Sequence, residues 1–256
     1  MSIVADNITV GYDLKDVIKD ESIEIEDSKM NVIIGKNGCG KSTLLKALCR
    51  QLSPRSGRVT LNGLSIDAIT QKGFAQIIGI LFQENRIPHE ITVRELVSYG
   101  RFAQIGLFSN FTSNDEEKID EAMKMMNIQQ FADREVNSLS SGQRQLVWIA
   151  MLIAQEAKYI FLDEPTTYLD MSNQFEILKC LHKLNREQGK TIVMILHDIN
   201  IAMQFADKMF IMKDGHIERQ GTVEEIAKES ELLKSVFGVS IKIINENGSY
   251  YCIPMK

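Results

Sequence analysis

The chain has 256 residues, 44% hydrophobic and 25% charged, with a formal net charge of −5. That supports a buried core in one large domain, or a core with a subdomain, and argues against nucleic-acid binding, whose usual footprint is a broad basic surface. Four dispersed cysteines lack metal-ligand spacing and read as free thiols, no secretory signal is visible, and the longest apolar run, Leu146 to Ala154, is too short to span a bilayer.

Met1 to Val10 reads as a strand, Gly11-Tyr12-Asp13 as a turn, and Ile23 to Glu26 as a second, alternating strand. Met30 to Ile34 is a short apolar strand that enters a glycine-rich loop, followed by a helix from about Lys41. Val59 to Leu61 and Ile77 to Phe82 are further strands. Helical signals then dominate from Glu84 to about Glu156, over Thr92 to Gly100, Asn114 to Met126 and Ser141 to Gln155. Strands return at Tyr159 to Leu162, Thr191 to Leu196 and Lys208 to Met212, alternating with helices Ser172 to Glu187 and Asp198 to Ala206. Thr222 to Lys256 reads as two short helices and a strand pair turning at Asn247-Gly248. The alternation predicts an α/β fold with a mostly parallel sheet, an antiparallel N-terminal part and an inserted helical subdomain. The expected division is 1–83 and 158–221 as core, 84–157 as helical subdomain and 222–256 as a C-terminal extension.

Gly35-Lys36-Asn37-Gly38-Cys39-Gly40-Lys41-Ser42-Thr43 follows an apolar strand and opens a helix, the context a P-loop requires. Its glycines let backbone N–H groups close around phosphate, and the helix N-terminus adds favourable dipole. Lys41 is placed to reach the β- and γ-phosphates and Ser42 to coordinate magnesium. Cys39 is either a redox brake on this loop or a tolerated small side chain. Tyr159-Ile160-Phe161-Leu162-Asp163-Glu164-Pro165 is a buried strand ending in two acids. Alternation along the strand would point them to different sides, which suits Asp163 to magnesium and Glu164 to the role of general base. These two motifs are shared by kinases, GTPases and many ATPases, so they leave the function open.

Leu139-Ser140-Ser141-Gly142-Gln143, at the start of a helix, resembles the signature sequence of the ATP-binding-cassette family, and further family motifs follow in order. Tyr12 resembles the aromatic that stacks on adenine. Gln83 resembles the glutamine that joins core to helical subdomain, serving catalysis and magnesium. Thr166-Thr167-Tyr168-Leu169-Asp170 is similar to the dimer-contacting loop, and His197 to the switch histidine at the γ-phosphate. Ser141 departs from the family's usual glycine but keeps the backbone N–H. The resemblance implies an ATP- and Mg²⁺-dependent ATPase on the cytoplasmic face of the membrane. Its catalytic residues would be Glu164, His197, Gln83 and Lys41, and Ser140 to Gln143 would complete the ATP site of a second cassette, most simply another copy. A permease would dock in a groove beside Gln83 and Tyr99-Gly100-Arg101-Phe102, with an external substrate-binding protein linked indirectly.

Within the family, Thr92 to Val97 running into Tyr99-Gly100-Arg101, Thr166 to Asp170, Leu196 to Asn200, Lys213 to Gly215 and Gln220 to Thr222 resemble the cassettes of ferric-siderophore, haem and cobalamin importers, with ferric siderophore the preferred cargo. The alternatives are another transporter, a soluble iron–sulfur assembly ATPase, a cassette for DNA repair or translation, and a P-loop kinase. The DNA-repair and translation cassettes usually carry a long coiled-coil insertion or two cassettes per chain, and a kinase would lack the Leu139 to Gln143 signature.

Overall fold

The computed structural model describes residues 2–83, 85–87, 90–105, 111–167 and 169–255. Met1, Glu84, Tyr168 and Lys256, to which the sequence reading assigned places, lie outside the described residues. The chain divides into two compact units, 1–69 with 191–256, and 70–190.

The first unit opens with β1 (Ile3–Tyr12) and β2 (Lys15–Ile25), an antiparallel pair, followed by β3 (Met30–Gly35), α1 (Lys41–Leu48), β4 (Ser56–Leu61) and β5 (Leu64–Ser65). These place β1 between β2 and β4 in an antiparallel sheet of order β2-β1-β4-β5. The expected turn at Gly11 to Asp13 sits later: Tyr12 ends β1 and pairs with Lys15, because Asp13 takes the positive φ of 48° that closes the hairpin. All six residues of β3 are buried. Asn31 is tolerated there because its amide donates to the carbonyls of Glu26, at 2.9 Å, and Lys29, at 3.2 Å, so no polar group is left stranded.

The second unit comprises α2 (Gln71–Ile77), β6 (Ile78–Leu81), α3 (Val93–Ser98), α4 (Ser113–Met125), α5 (Ser141–Ala154), β7 (Tyr159–Asp163) and α6 (Met171–Gln188). Strands β6 and β7 pair in parallel, and α3, α4 and α5 pack together. Helices α3, α4 and α5 each start on a capping box: Thr92 with Glu95, Thr112 with Asp115, and Ser140 with Gln143. Such reciprocal caps satisfy N–H groups that the first turn leaves without partners. Helix α2 was not expected from the sequence; Thr70 caps it, accepting from Gly73 N–H.

The chain returns to the first unit with β8 (Thr191–Ile195), α7 (Ile199–Phe205), β9 (Lys208–Lys213), β10 (His216–Gly221), α8 (Val223–Ala227), α9 (Ser230–Phe237), β11 (Ser240–Glu246) and β12 (Ser249–Met255). Strand β3 pairs in parallel with β8 and β9, and β10 adds antiparallel to β9. Parallel strands covered on both faces read as unbroken apolar runs, which is how β3, β8 and β9 were legible. Among the described residues, no helix is long and apolar enough to cross a membrane.

Candidate functional site

The predicted phosphate loop joins the buried strand β3 to α1. Gly40 caps α1 with φ 105°, a left-handed conformation that favours glycine, and a Cβ there would sit 2.8 Å from Ile18 Cδ1, which would have to shift. Lys41 is 5% exposed, and its Nζ donates to the carbonyl oxygens of Gly35 and Lys36, each at 2.9 Å. The ammonium is thereby held over the loop by main-chain dipoles, while Lys36, Asn37 and Gly38 stand exposed at the crest. A Cβ built on Gly38 meets nothing within 4 Å, so the crest is open to a ligand. Gly215 N–H donates to Cys39 O at 2.9 Å, anchoring the loop to the β9–β10 turn. Ser42 is half-buried and Thr43 buried behind it.

Cys39 is 5% exposed, and burial pushes its thiol up against the opposing pull of Lys41. A protonated, shielded thiol is a poor redox sensor, which favours the small-side-chain reading. Tyr12 lies 44% exposed at the end of β1, with the Lys46 ammonium of α1 5.9 Å from its ring centroid. The aromatic is therefore beside the helix that the phosphate loop opens. His197 follows the buried Leu196 and is exposed.

In the second unit, Asp163 ends β7 at 5% exposure. Strand alternation does not extend to Glu164, which has already left β7 and takes a left-handed φ of 54°. Gln83 Nε2 donates to Glu164 Oε2 at 3.0 Å, and Thr167 Oγ1 donates to the same oxygen at 3.1 Å. Thr167 N–H also returns to Glu164 O at 3.2 Å. The Thr167 contact was not anticipated, although Thr167 lies within a stretch that the sequence had singled out. Gln145, from α5, donates to Pro165 O at 3.0 Å, tying the loop to the signature helix. Its place on α5 just past the predicted signature was the available signal.

Ser140 caps α5, accepting from Gln143 N–H at 3.2 Å while Gln143 Oε1 accepts from Ser140 N–H at 3.0 Å. Ser141 is exposed. A Cβ on Gly142 would stand 3.3 Å from Asn173 Nδ2 and 3.4 Å from Leu169 Cδ2, ordinary to tight packing against the first turn of α6 and the residue before its cap. Ser141, Gln145 and Trp148 share a cleft of about 170 Å³ with Gln83, Glu164 and Thr167. The structure thus brings the signature helix of this chain to its own candidate base.

The groove expected along Tyr99 to Phe102 needs correction. Tyr99 and Phe102 are 41% and 55% exposed and stack at 4.8 Å, but Gly100 and Arg101 are buried. Gly100 lies so close to α5 that a Cβ would be 2.2 Å from Met151 O. Arg101 turns inward: Nε donates to Asp115 at 3.0 Å, and Nη1 to Ala154 O at 2.7 Å and Glu156 Oε2 at 2.8 Å. A buried guanidinium needs such partners, so only the two rings remain to form a surface.

Among the described residues, no three His, Cys, Asp or Glu side chains are gathered to hold a metal. The residues that the sequence assigns to magnesium, Ser42, Gln83 and Asp163, offer side-chain oxygens, the hard donors that this ion takes.

A family model described as ABC transporter matches residues 18–167. The ferric enterobactin transport ATP-binding protein FepC of Escherichia coli (strain K12) is 42% identical over 94% of this chain and 89% of its own length. The iron(3+)-hydroxamate import ATP-binding protein FhuC of Bacillus subtilis (strain 168) is 40% identical over 96% and 91%. Among solved structures, an inward-facing metal-chelate type ABC transporter aligns with TM-score 0.83 and 29% identity over 100% of this chain and 97% of that one. A dimeric cassette bound to ADP and phosphate aligns with TM-score 0.76 and 29% identity over 86% and 98%. The phosphate loop, the paired acids and the capped signature helix are arranged on a fold shared with these cassettes, and this chain belongs to the ABC transporter family as one of its ATP-binding subunits.

Proposed function

We propose that this cassette hydrolyses ATP to power uptake of a ferric siderophore, working as a homodimer on the cytoplasmic face of a membrane permease. The observation that carries the cargo class is the 42% identity, over 94% of the chain, to a ferric enterobactin transport subunit. Haem, cobalamin and other cargoes are the alternatives within the family.

Lys41 and the N–H groups of Gly35, Asn37, Gly38, Cys39, Gly40, Ser42 and Thr43 bind the phosphates, and Tyr12 stacks on the base. Base–aromatic stacking of this kind contributes roughly 1–3 kcal/mol. Ser42, Asp163 and Gln83 would hold magnesium, which when bound would supply positive charge to offset that of the phosphate. Glu164 takes the proton of the attacking water as the water oxygen bonds to the γ-phosphorus and the bond to the bridging oxygen breaks, releasing ADP and phosphate. The hydrogen bonds from Gln83 and Thr167 orient that carboxylate. His197 contacts the γ-phosphate, and Ser140 to Gln143 of one subunit complete the site of the other. Residues 1–83 and 158–221 form the nucleotide-binding core, 84–157 is the subdomain that meets the permease through Tyr99 and Phe102, and 222–256 is appended.

The test is to purify tagged Glu164→Gln protein from its native cells with ATP in mild detergent. A co-purifying polytopic permease, encoded or found with a substrate-binding lipoprotein, supports import, and growth on defined iron sources then names the cargo. A soluble partner recovered in its place overturns transport and favours an assembly ATPase.

A further inference from the structure

The hairpin of β11 and β12 carries a face that the nucleotide chemistry does not use. Its register pairs Lys242 with Ile253, Ile244 with Tyr251, and Glu246 with Ser249, and residues paired across strands share a face. Ile244, Tyr251, Ile253 and Met255 are 36%, 46%, 42% and 51% exposed. They form one contiguous apolar strip on the outer face. The inner face bears the buried Cys252, whose backbone is pinned to α7 through Asn200. A contiguous exposed apolar strip rimmed by charge is a docking surface more often than a solvated one.

The rim says what docks. Lys242 and Glu246 flank Ile244 on the same strand and the same face. Among the described residues, neither makes an ion pair. A twofold axis running across the strands at Ile244 would set each Lys242 against Glu246 of a second copy, with Ile244 and Tyr251 meeting their own counterparts. An axis along the strands would set like charge against like, which is destabilising. The surface is therefore complementary to itself in one orientation, as an isologous contact must be.

We propose that the outer face of this hairpin binds the same face of a second copy of the chain, without nucleotide. This goes beyond the ATP-dependent pairing proposed above, because none of its residues lies in a nucleotide motif. The few side chains involved fall short of the roughly 800 Å² per partner of a standard interface. The contact is accordingly weak alone, and it acts as a tether that keeps the second cassette at high effective concentration when ATP is absent.

Sedimentation equilibrium of the full chain without nucleotide, at concentrations up to about 1 mM, tests this. Wild-type protein should show a monomer–dimer equilibrium. Lys242→Glu or Glu246→Lys, each turning two attractions into two repulsions, should weaken it roughly tenfold, and the double reversal should restore it. A strictly monomeric wild type, single variants that associate like wild type, or a double variant that is not rescued would each overturn the proposal. Glu164→Gln with ATP is measured in parallel. If it fails to dimerise while the hairpin equilibrium stands, the ATP-dependent reading falls and this one does not.

Discussion

The phosphate loop holds its lysine with main-chain carbonyls, whereas the acid beyond β7 is held by two side chains, one near in sequence and one distant. Lys41 bonds to Gly35 O and Lys36 O, six and five residues away. Glu164 accepts from Gln83, which is separated from it by 81 residues, and from Thr167. A backbone cradle is fixed once β3 and α1 form. A side-chain clamp is exchangeable, because each bond can be given up without breaking secondary structure. The proposed nucleotide binding sits on the first and the proposed proton transfer on the second, as expected of a device that must hold ATP steadily and release hydrolysis only in one arrangement.

That contrast can be broken by substitution. Glu164→Gln should leave ATP binding intact and lower turnover by roughly 10²- to 10⁴-fold, read by phosphate release beside a nucleotide titration. Turnover at the wild-type rate would remove Glu164 as the base. Lys41→Ala should weaken ATP binding by at least about tenfold, since a charge-assisted hydrogen bond contributes roughly 1.5–3 kcal/mol. Calorimetric titration measures it, and unchanged affinity would show that backbone N–H groups suffice.

The same distinction extends to stability. Arg101→Ala removes a buried guanidinium that bridges Asp115, Ala154 O and Glu156, and should cost about 3 kcal/mol in chemical denaturation. Hydrogen bonds from Thr112, and then Arg101, hold the Asp115 carboxyl below the usual range. Its folded form therefore binds a proton more weakly than the unfolded chain does. The stabilisation is complete above the unfolded value of about 3.9 and is lost as pH falls through the lower folded value. The stability gap between wild type and Arg101→Ala should narrow there in acid denaturation without closing, because Arg101 also donates to Ala154 O and Glu156. The smallest effect belongs to Thr167→Ala: with the Gln83 hydrogen bond still in place, steady-state turnover should fall only about two- to tenfold. A loss matching that of Glu164→Gln would show that Thr167 alone positions the acid.

What the sequence disclosed follows from the same division. The phosphate loop was legible because its glycines, lysine and serine are contiguous and their geometry is local. The clamp on Glu164 was not, because neither its left-handed backbone nor the approach of Thr167 is encoded in spacing. Strand β10, His216–Gly221, was missed for a different reason: it is mostly polar and exposed, and only its pairing with β9 makes it a strand. Helix α2 is short and interrupted by Gly73, though Thr70 marked its start. Tyr99 to Phe102 looked like one surface, yet the close approach of Gly100 to α5 turns Arg101 inward and leaves only the rings outside.

Asn200 exchanges two hydrogen bonds with the backbone of Cys252, accepting from its N–H at 2.7 Å and donating to its carbonyl at 3.2 Å. A side-chain amide thereby imitates a neighbouring strand, and it does so from the first turn of α7, three residues beyond His197. The hairpin and the histidine corner are thus coupled mechanically by one reciprocal bond pair. Hydrogen exchange at the Cys252 amide becomes a gauge of strain at that corner, read without altering His197 itself.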